Sequence, residues 1–458
     1  MEKLADIIAR GRCEWPEKLA VADVGCTLTY AELAEQVMRV AAWLGQQGIV
    51  PGDRVVLSLP NSVRYVVAFF GVQWAGAVTT PLDPALPESQ RVAILERTGA
   101  KCVLTAESPW EAIFATPPKA QSSQREPQDL ASLMFTTGTT GQPKGVMLTH
   151  RNVFAAIHNI VSFLRYGPED REVITLPLSH NFGLGHVLCN LVSGGAVYLE
   201  PGLTRVGRVL KAIELFGATG FPTTPLGVAL LLDRYRAVFI ERAKGLRFMV
   251  VNSAPLPPER TAQLQDALPG VDIHVYYGLT EASRSTFISL THEGPKRYAS
   301  VGQPMADVRI DLDESGEILI HGPTVTPGYW QDAELTNAAL PNGVLHTGDL
   351  GRFDDEGFLY IIGRADDIIN LGGYKINPRD VERVLELYPG LSEAAVTGGD
   401  SLCAFYVASE ELDSEVLFKH CRRYLPVHET PQRFQRVAAM PRTDSGKLKR
   451  RELHITGD

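Results

Sequence analysis

Short apolar segments alternate with amphipathic helical segments over most of this chain, and this alternation constrains the fold more than any other feature. Strand-like segments include Val173–Leu176, Ala196–Leu199 and Phe248–Val251, and Thr29–Gln47 is typical of an amphipathic helix that begins at a threonine cap. From about Asp307 the pattern changes to short strands joined by tight turns. We therefore expect an α/β protein, with a large N-terminal body of several sheets and a small α+β C-terminal domain.

Length and charge narrow the class of protein further. The 458 residues exceed the roughly 250–300 residues at which a single core usually stops growing, so we place one domain at residues 1–365 and a second at 366–458. The net charge of −9 argues against a general nucleic-acid binder, which needs a basic face. The six cysteines show no metal-binding or disulfide spacing. With no secretory signal and no apolar run of about 18 residues, we expect a cytoplasmic protein without a membrane span.

A Gly/Thr-rich loop between an apolar strand and a helix is the most informative motif. Its glycines permit unusual backbone conformations, and its amides and hydroxyls can surround phosphate oxygens. Lys144 adds a positive charge but lies between Pro143 and Gly145, so the Gly-Lys-Ser/Thr pattern of the standard P-loop fails and a kinase of that type is disfavoured. The candidate phosphate-binding residues are Thr136, Thr137, Gly138, Thr139, Thr140, Gly141 and Lys144.

The segment TTGTTGQPKG (Thr136–Gly145) resembles the signature of the adenylate-forming ligases, which include acyl-CoA synthetases, luciferases and the adenylation domains of peptide synthetases. Other segments agree with that superfamily in order and approximate spacing, and the resemblance covers nearly the whole chain. These segments are Pro177–Gly185, Asn252–Leu256, Tyr276–Glu281, His346–Glu382 and Pro441–Leu453.

The resemblance implies a reaction in two halves that uses ATP and Mg²⁺. A carboxylate attacks the α-phosphate of ATP to give acyl-AMP and pyrophosphate, and a thiol then displaces AMP. By resemblance, Thr280 contacts the α-phosphate, Glu281 holds Mg²⁺ and Lys447 bridges the carboxylate and the α-phosphate. Thr280-Glu281 is also typical of a helix N-terminus, which is the structural alternative.

The resemblance also assigns the nucleotide and the hinge. Asp349 would accept the ribose hydroxyls and Arg364 would reach the nucleotide, whereas Val275 stands where relatives often carry Asn or Gln for the adenine edge. The adenine would then contact Ala254, Pro255 and Tyr277. The C-terminal domain would be mobile about Asp366 and would present Gly372 and Gly373 to the thiol.

The identity of the acid is less constrained. His180 resembles a residue that gates the carboxylate entrance, and Asn181, in place of an aspartate, disfavours an α-amino acid. A glycine has no side chain and leaves room for a chain or a ring. Ser283, Arg284 and Ser285 indicate a partly polar far pocket, with a solvated loop as the alternative. The candidate substrate-binding residues are Asn181, Gly183, Gly185, Gly278 and Ser283.

The sequence therefore predicts a ligase that activates an aliphatic or aryl carboxylic acid. The thiol acceptor is coenzyme A or, alternatively, the phosphopantetheine of an acyl carrier protein. A non-catalytic relative that binds a nucleotide or an acyl ligand is the other alternative.

Overall fold

The computed structural model describes residues 3–137, 143–371, 374–399, 401–442 and 448–454. Within these residues no helix is both long enough and apolar enough to cross a membrane.

The chain forms two compact units. One contains residues 1–311 and 319–346, and the other contains residues 312–318 and 347–458. The α/β fold with several sheets, a large N-terminal body and a smaller C-terminal domain is confirmed. The domain boundary that the sequence analysis places between residues 365 and 366 refers to a hinge about which the C-terminal domain would move. This boundary stays a prediction.

The first unit carries most of the secondary structure. Its helices are α1 (Ala5–Glu14), α2 (Tyr30–Gln46), α3 (Val63–Trp74), α4 (Glu88–Thr98), α5 (Trp110–Ala115), α6 (His150–Leu164), α7 (Asn181–Val192), α8 (Val206–Leu215), α9 (Pro225–Arg234), α10 (Arg236–Arg242), α11 (Pro258–Ala267), α12 (Leu290–Glu293) and α13 (Ala333–Ala339). Its strands are β1 (Leu19–Ala22), β2 (Thr27–Thr29), β3 (Arg54–Ser58), β4 (Val78–Pro81), β5 (Cys102–Thr105), β6 (Leu130–Thr137), β7 (Pro143–Thr149), β8 (Arg171–Ile174), β9 (Ala196–Leu199), β10 (Gly220–Thr223), β11 (Phe248–Val251), β12 (Asp272–Tyr277), β13 (Thr286–Ser289) and β14 (Gln303–Pro304).

The chain passes from one unit to the other inside three strands. These are β15 (Arg309–Leu312), β16 (Glu317–His321) and β17 (Leu345–Phe353). The second unit continues with β18 (Leu359–Arg364), β19 (Ile369–Leu371), β20 (Tyr374–Ile376), α14 (Pro378–Glu386), β21 (Leu391–Thr397), β22 (Cys403–Ala408), α15 (Ser414–Arg422) and β23 (Arg433–Arg436).

Two sheets organise the first unit. The nine-stranded sheet has the order β14-β13-β12-β11-β10-β8-β9-β1-β2, and the five-stranded sheet has the order β5-β3-β4-β6-β7. Strands β8, β10, β11 and β12 pair in parallel, so their carboxyl ends lie along one edge. Ligands of open α/β sheets bind at that edge, and the loops after β11 and β12 carry several of the predicted site residues.

Local sequence explains several elements. Thr29 caps α2 reciprocally with Glu32, and Thr149 caps α6 with Asn152. Some elements are not evident from the sequence: α5 lies within the stretch 107–130, whose polar residues and prolines favour a surface connection, and its Trp110 and Ile113 are buried. Strand β10 is fully buried, but it contains a glycine and a proline, which favour turns over strands. Its composition therefore does not predict a strand.

The second unit has its own small core. Strands β21, β22 and β23 form a three-stranded sheet. Val381 and Leu385 of α14 and Leu417 and Cys421 of α15 are buried in the same apolar cluster. This arrangement agrees with the predicted α+β unit.

Candidate active site

The loop after β12 carries the predicted Thr280 and Glu281 and folds as a tight turn. The amide of Leu279 donates to the carbonyl oxygen of Ala282 (3.0 Å), and the amide of Ser285 donates to that of Tyr277 (2.9 Å). Strand β13 follows directly, so the alternative that Thr280-Glu281 begins a helix is wrong. Both side chains are half-buried at the carboxyl edge of the sheet.

The carboxylate of Glu281 is fixed by the segment Thr326–Trp330. The buried Tyr329 donates its hydroxyl hydrogen to Glu281 Oε1 (2.8 Å). The amide of Thr326 donates to the carbonyl oxygen of Glu281 (2.7 Å). Both ends of Glu281, backbone and side chain, are therefore held by one neighbouring segment.

The same segment holds the strand that leaves the predicted phosphate loop. The amide of Met147 in β7 donates to the carbonyl oxygen of Gly328 (3.0 Å), and the amide of Trp330 donates to that of Gly145 (2.7 Å). Thr136 and Lys144 are paired across β6 and β7. The segment 326–330 thus connects Glu281 to the strands that flank the phosphate loop.

The loop after β11 carries the predicted adenine contacts. Ser253 has a φ of 82°, a left-handed conformation that is uncommon outside glycine and concentrates at functional sites. Ala254 is half-buried and Pro255 is exposed, whereas Tyr277 is buried at the end of β12. Burial also raises the pKa of the neighbouring Tyr276 hydroxyl.

The loop that carries His180 is anchored by Asn61, just before α3, and by Tyr65 within α3. The buried Asn61 donates its amide hydrogens to the carbonyl oxygens of Leu176 (2.8 Å) and Glu200 (3.0 Å), and its oxygen accepts from the amide of Leu178 (3.0 Å). Tyr65 donates its hydroxyl hydrogen to the carbonyl oxygen of Leu178 (2.7 Å). His180, half-buried, directly precedes α7.

A buried polar cluster fixes helix α7 against the sheet. Glu172 of β8 accepts hydrogen bonds from Tyr166 (2.6 Å) and Asn190 (3.0 Å), and it lies 3.0 Å from His186 Nδ1. Because each of these side chains is buried, their mutual pairing is what makes the polar groups tolerable there. The cluster sets the position of the helix that begins at Asn181.

The glycines expected to leave room for the acid are occupied differently. A Cβ on Gly183 would lie 2.7 Å from the carbonyl oxygens of Leu176 and Pro177, and a Cβ on Gly185 would lie 2.5 Å from Arg284 Nη2. A Cβ on Gly278 would lie 2.4 Å from the Arg284 amide nitrogen. The space beside these three glycines is therefore filled by other atoms of the protein, and the expectation that it is left for the acid is corrected. That these glycines contact the substrate stays a prediction.

The turn after Glu281 is buried, so the expected alternative of a solvated loop is wrong. Arg284 is 3% exposed and has a φ of 56°. Its guanidinium donates to Ser283 Oγ (2.7 Å) and to the Phe182 carbonyl oxygen (3.1 Å). Its Nε, like Asn181 Nδ2, is buried and has no hydrogen-bond partner within the described residues.

The second unit holds the predicted ribose and hinge residues. Asp349 and Arg364 are paired across β17 and β18, and Arg364 Nε lies 3.6 Å from Asp349 Oδ1. Asp349 is buried, and its amide donates to Thr347 Oγ1 (3.1 Å). Asp366 is exposed in a single 3₁₀ turn. Asp349 and Arg364 therefore lie in the second compact unit, which contains residues 347–458. The sequence analysis assigns them to the N-terminal domain.

Several predicted residues lie outside the described part of the chain. They are Gly138, Thr139, Thr140, Gly141, Gly372, Gly373 and Lys447, and the side chain of Thr137. Their assigned roles stay predictions.

Comparison with known proteins identifies the family. The model of the AMP-binding enzyme matches residues 10–330, and that of the AMP-binding enzyme C-terminal domain matches residues 380–447. The chain therefore belongs to the AMP-binding enzyme family.

Individual relatives resemble the chain over almost its whole length. A sulfoacetate–CoA ligase of Cupriavidus necator is 32% identical, covering 99% of this chain and 97% of the relative, and a feruloyl-CoA synthase of an Amycolatopsis species is 31% identical, covering 96% of each. The solved o-succinylbenzoate coenzyme A synthetase of Bacillus subtilis, in complex with ATP and magnesium ion, is 26% identical with a TM-score of 0.88, covering 98% of each chain.

These findings confirm the predicted class, an AMP-forming acid–coenzyme A ligase that uses ATP. They offer no support for a carrier protein as the acceptor.

Sequence reasoning missed the residues that organise the site from a distance. Tyr329 and Thr326, which hold Glu281, lie 45 or more positions further along the chain, so no local pattern connects them. The available signal was the Gly-Tyr-Trp run at 328–330, because a glycine followed by two aromatic residues in a loop indicates close backbone approach and burial.

Proposed function

We propose that this enzyme activates an aliphatic or aryl carboxylic acid and transfers its acyl group to coenzyme A through the residues assigned above. In the first half, a carboxylate oxygen bonds to the α-phosphorus of ATP and the bond from that phosphorus to the pyrophosphate oxygen breaks. In the second half, the thiol sulfur bonds to the acyl carbon, AMP leaves with the electron pair, and the thiol proton passes to solvent.

The observation that carries the assignment is the fixed carboxylate of Glu281. The Tyr329 hydroxyl bonds this carboxylate and the Thr326 amide bonds the Glu281 backbone, and both belong to the segment that also holds strand β7, directly beyond the predicted phosphate loop. Groups that stabilise developing charge act best when they are positioned before the reaction. We therefore assign Glu281 and Thr280 to the phosphate end of ATP.

Glu281 also fits a magnesium ion. Mg²⁺ is usually held by one or two carboxylates together with substrate phosphates, and Tyr329 occupies only one of about four lone-pair positions of this carboxylate. Bound there, the ion would neutralise phosphate charge. The protein's own contribution is to orient the carboxylate through the 2.8 Å hydrogen bond from Tyr329.

The remaining roles follow the family resemblance. Asp349 accepts the ribose hydroxyls, with Arg364 beside it, and Lys447 contacts the reacting carboxylate and the α-phosphate. Asp366, exposed in its short turn, is the hinge that exchanges Lys447 for the Gly372-Gly373 loop before the thiol step.

Pyrophosphate release with ATP and a panel of carboxylic acids tests this function. We expect release that depends on the acid, followed by formation of the corresponding thioester when coenzyme A is added. A phosphopantetheinylated carrier protein serves as the parallel acceptor. Release without any dependence on acid would refute the proposed function, and acylation of the carrier protein alone would refute the acceptor.

The relatives do not fix the acid. The named substrates of the two curated relatives are a short sulfonated acid and an aryl acid, which differ in size and charge. The choice must therefore come from this chain's own residues.

A further inference from the structure

Arg284 is a buried cation for which the described part of the chain supplies no counter-ion. It is 3% exposed, its Nη1 and Nη2 donate to Ser283 and to the Phe182 carbonyl, and its Nε has no partner. No carboxylate of the described residues forms an ion pair with it. The ring of Tyr276, whose centroid lies 5.2 Å from the guanidinium carbon, offsets part of the charge.

This arrangement is costly for the protein alone. A buried charge is tolerated when it is paired and hydrogen-bonded, and here one donor is left over. The φ of 56° at Arg284 adds strain, because a residue with a Cβ rarely adopts that conformation. Costs of this kind persist where a bound ligand uses them.

The position of Arg284 indicates which ligand that is. Its guanidinium fills the space beside Gly185, bonds the carbonyl of Phe182, and its backbone packs against Gly278. These are the segments predicted to line the acid. Asn181 Nδ2, immediately before Phe182, is a second buried donor without a partner in the described residues. Two donors without partners therefore lie among the residues predicted to bind the acid.

We propose that Arg284 determines substrate specificity by binding a second anionic group of the acid, so that the preferred substrate is a dicarboxylic acid. One carboxylate of the acid reacts with ATP, and the other accepts hydrogen bonds from Arg284 Nε, with Asn181 Nδ2 as a further donor. This inference rests on the proposed function and names its substrate class. A charge-assisted hydrogen bond from a guanidinium to a carboxylate is among the strong interactions available to a protein.

The test measures kcat/KM for pyrophosphate release with dicarboxylic acids and with monocarboxylic acids of equal carbon number. For the wild type we expect kcat/KM with the best dicarboxylic acid to be about 10²-fold higher than kcat/KM with the monocarboxylic acid of equal carbon number. R284M, which keeps length and removes charge, should abolish this preference through a higher KM for the dicarboxylic acid. G185A adds a methyl group 2.5 Å from Nη2, so it should displace the guanidinium and reduce the preference less than R284M does.

Distinct outcomes overturn the inference. If wild-type enzyme uses monocarboxylic acids as well as their dicarboxylic counterparts, the proposed function stands and the role of Arg284 falls. The same follows if R284M lowers kcat/KM equally for both acids, because loss of a residue with a purely structural role would have that effect. Should R284M fail to fold, as judged from its thermal midpoint, the wild-type series decides alone. If no acid of either kind supports pyrophosphate release, the proposed function itself fails.

Discussion

Two regions of the first unit differ in how far their polar groups are hydrogen-bonded: the region around Glu281, which we assign to the adenylate, and the region around Arg284 and Asn181, which we assign to the acyl group. On the adenylate side, Glu281, Thr326 and strand β7 are bonded to one another through the segment 326–330. On the acyl side, Arg284 Nε and Asn181 Nδ2 have no partner among the described residues. ATP is the same in every turnover, so the protein can arrange its contacts in advance, whereas on our proposal the acid supplies the partners that these two donors lack. Changes on the adenylate side should therefore affect all acids equally, and changes on the acyl side should alter the preference among acids.

The largest effect is expected for K447A. Loss of one transition-state contact commonly lowers the rate on the order of 10²–10³-fold, so acyl-AMP formation should fall by that factor for every acid. Thioester formation from supplied acyl-AMP should be preserved, because Lys447 is assigned to the first half only. The matched control is K449A in the same tail, whose side chain pairs with Glu452 (2.9 Å). Adenylation by K447A at the wild-type rate would show that another group makes this contact.

E281Q should reduce adenylation by about 10²-fold, again for all acids, because an amide provides no negative charge to hold the metal that stabilises the phosphates. Raising the Mg²⁺ concentration should restore part of the rate, which separates a metal-binding role from a structural one. E334Q, an exposed substitution on α13, is the control. A change in acid preference in E281Q would contradict the division into two sides.

Y329F removes the hydroxyl that donates to Glu281 Oε1 at 2.8 Å and leaves the carboxylate in place. We expect a loss of about tenfold in adenylation, since a single hydrogen bond to a charged group contributes roughly 1.5–3 kcal/mol when fully formed and less in a half-buried site. Steady-state rates with several acids should fall by one common factor. A rate equal to wild type would mean that the Thr326 amide alone positions Glu281.

N181A addresses the acyl side and should give the smallest effect. Removing one buried donor that has no partner within the described chain is expected to change the ratio of kcat/KM between two acids by about fivefold, corresponding to roughly 1 kcal/mol. The rate with the poorer acid should remain nearly constant. An equal loss with both acids would place Asn181 with the adenylate residues.

The sequence was a good guide wherever the determining interaction is local. Thr29 and Glu32 form the capping box that begins α2, and Thr149 and Asn152 form the one that begins α6. Each cap depends on residues three positions apart, so the pattern is visible in a single sequence. The family motifs likewise point to Thr280 and Glu281, which are contiguous, and the roles assigned to them stay predictions.

The rest depends on contacts between distant segments. The burial of Arg284 results from Phe182 and Gly185, about a hundred residues earlier. The glycines of α7 could not reveal from sequence whether substrate or protein fills the space beside them. Strand β7 was also unexpected, because Pro143–Thr149 pairs with β6 across a loop whose glycines and threonines indicated only a connection to a helix.

The three passages of the chain between its units limit how this protein can be divided. Within the second unit, Thr347 Oγ1 donates to the Ile318 carbonyl oxygen (2.8 Å) and the Gly348 amide donates to Glu317 Oε1 (2.8 Å). A fragment that begins at residue 347 would lose both partners, although they belong to the same compact unit. Exchange of the C-terminal domain with a relative's, by recombination or by engineering, should therefore transfer residues 312–318 as well, since a single splice point separates that unit from the turn between β15 and β16 and from the start of β16, which supplies both hydrogen-bond partners.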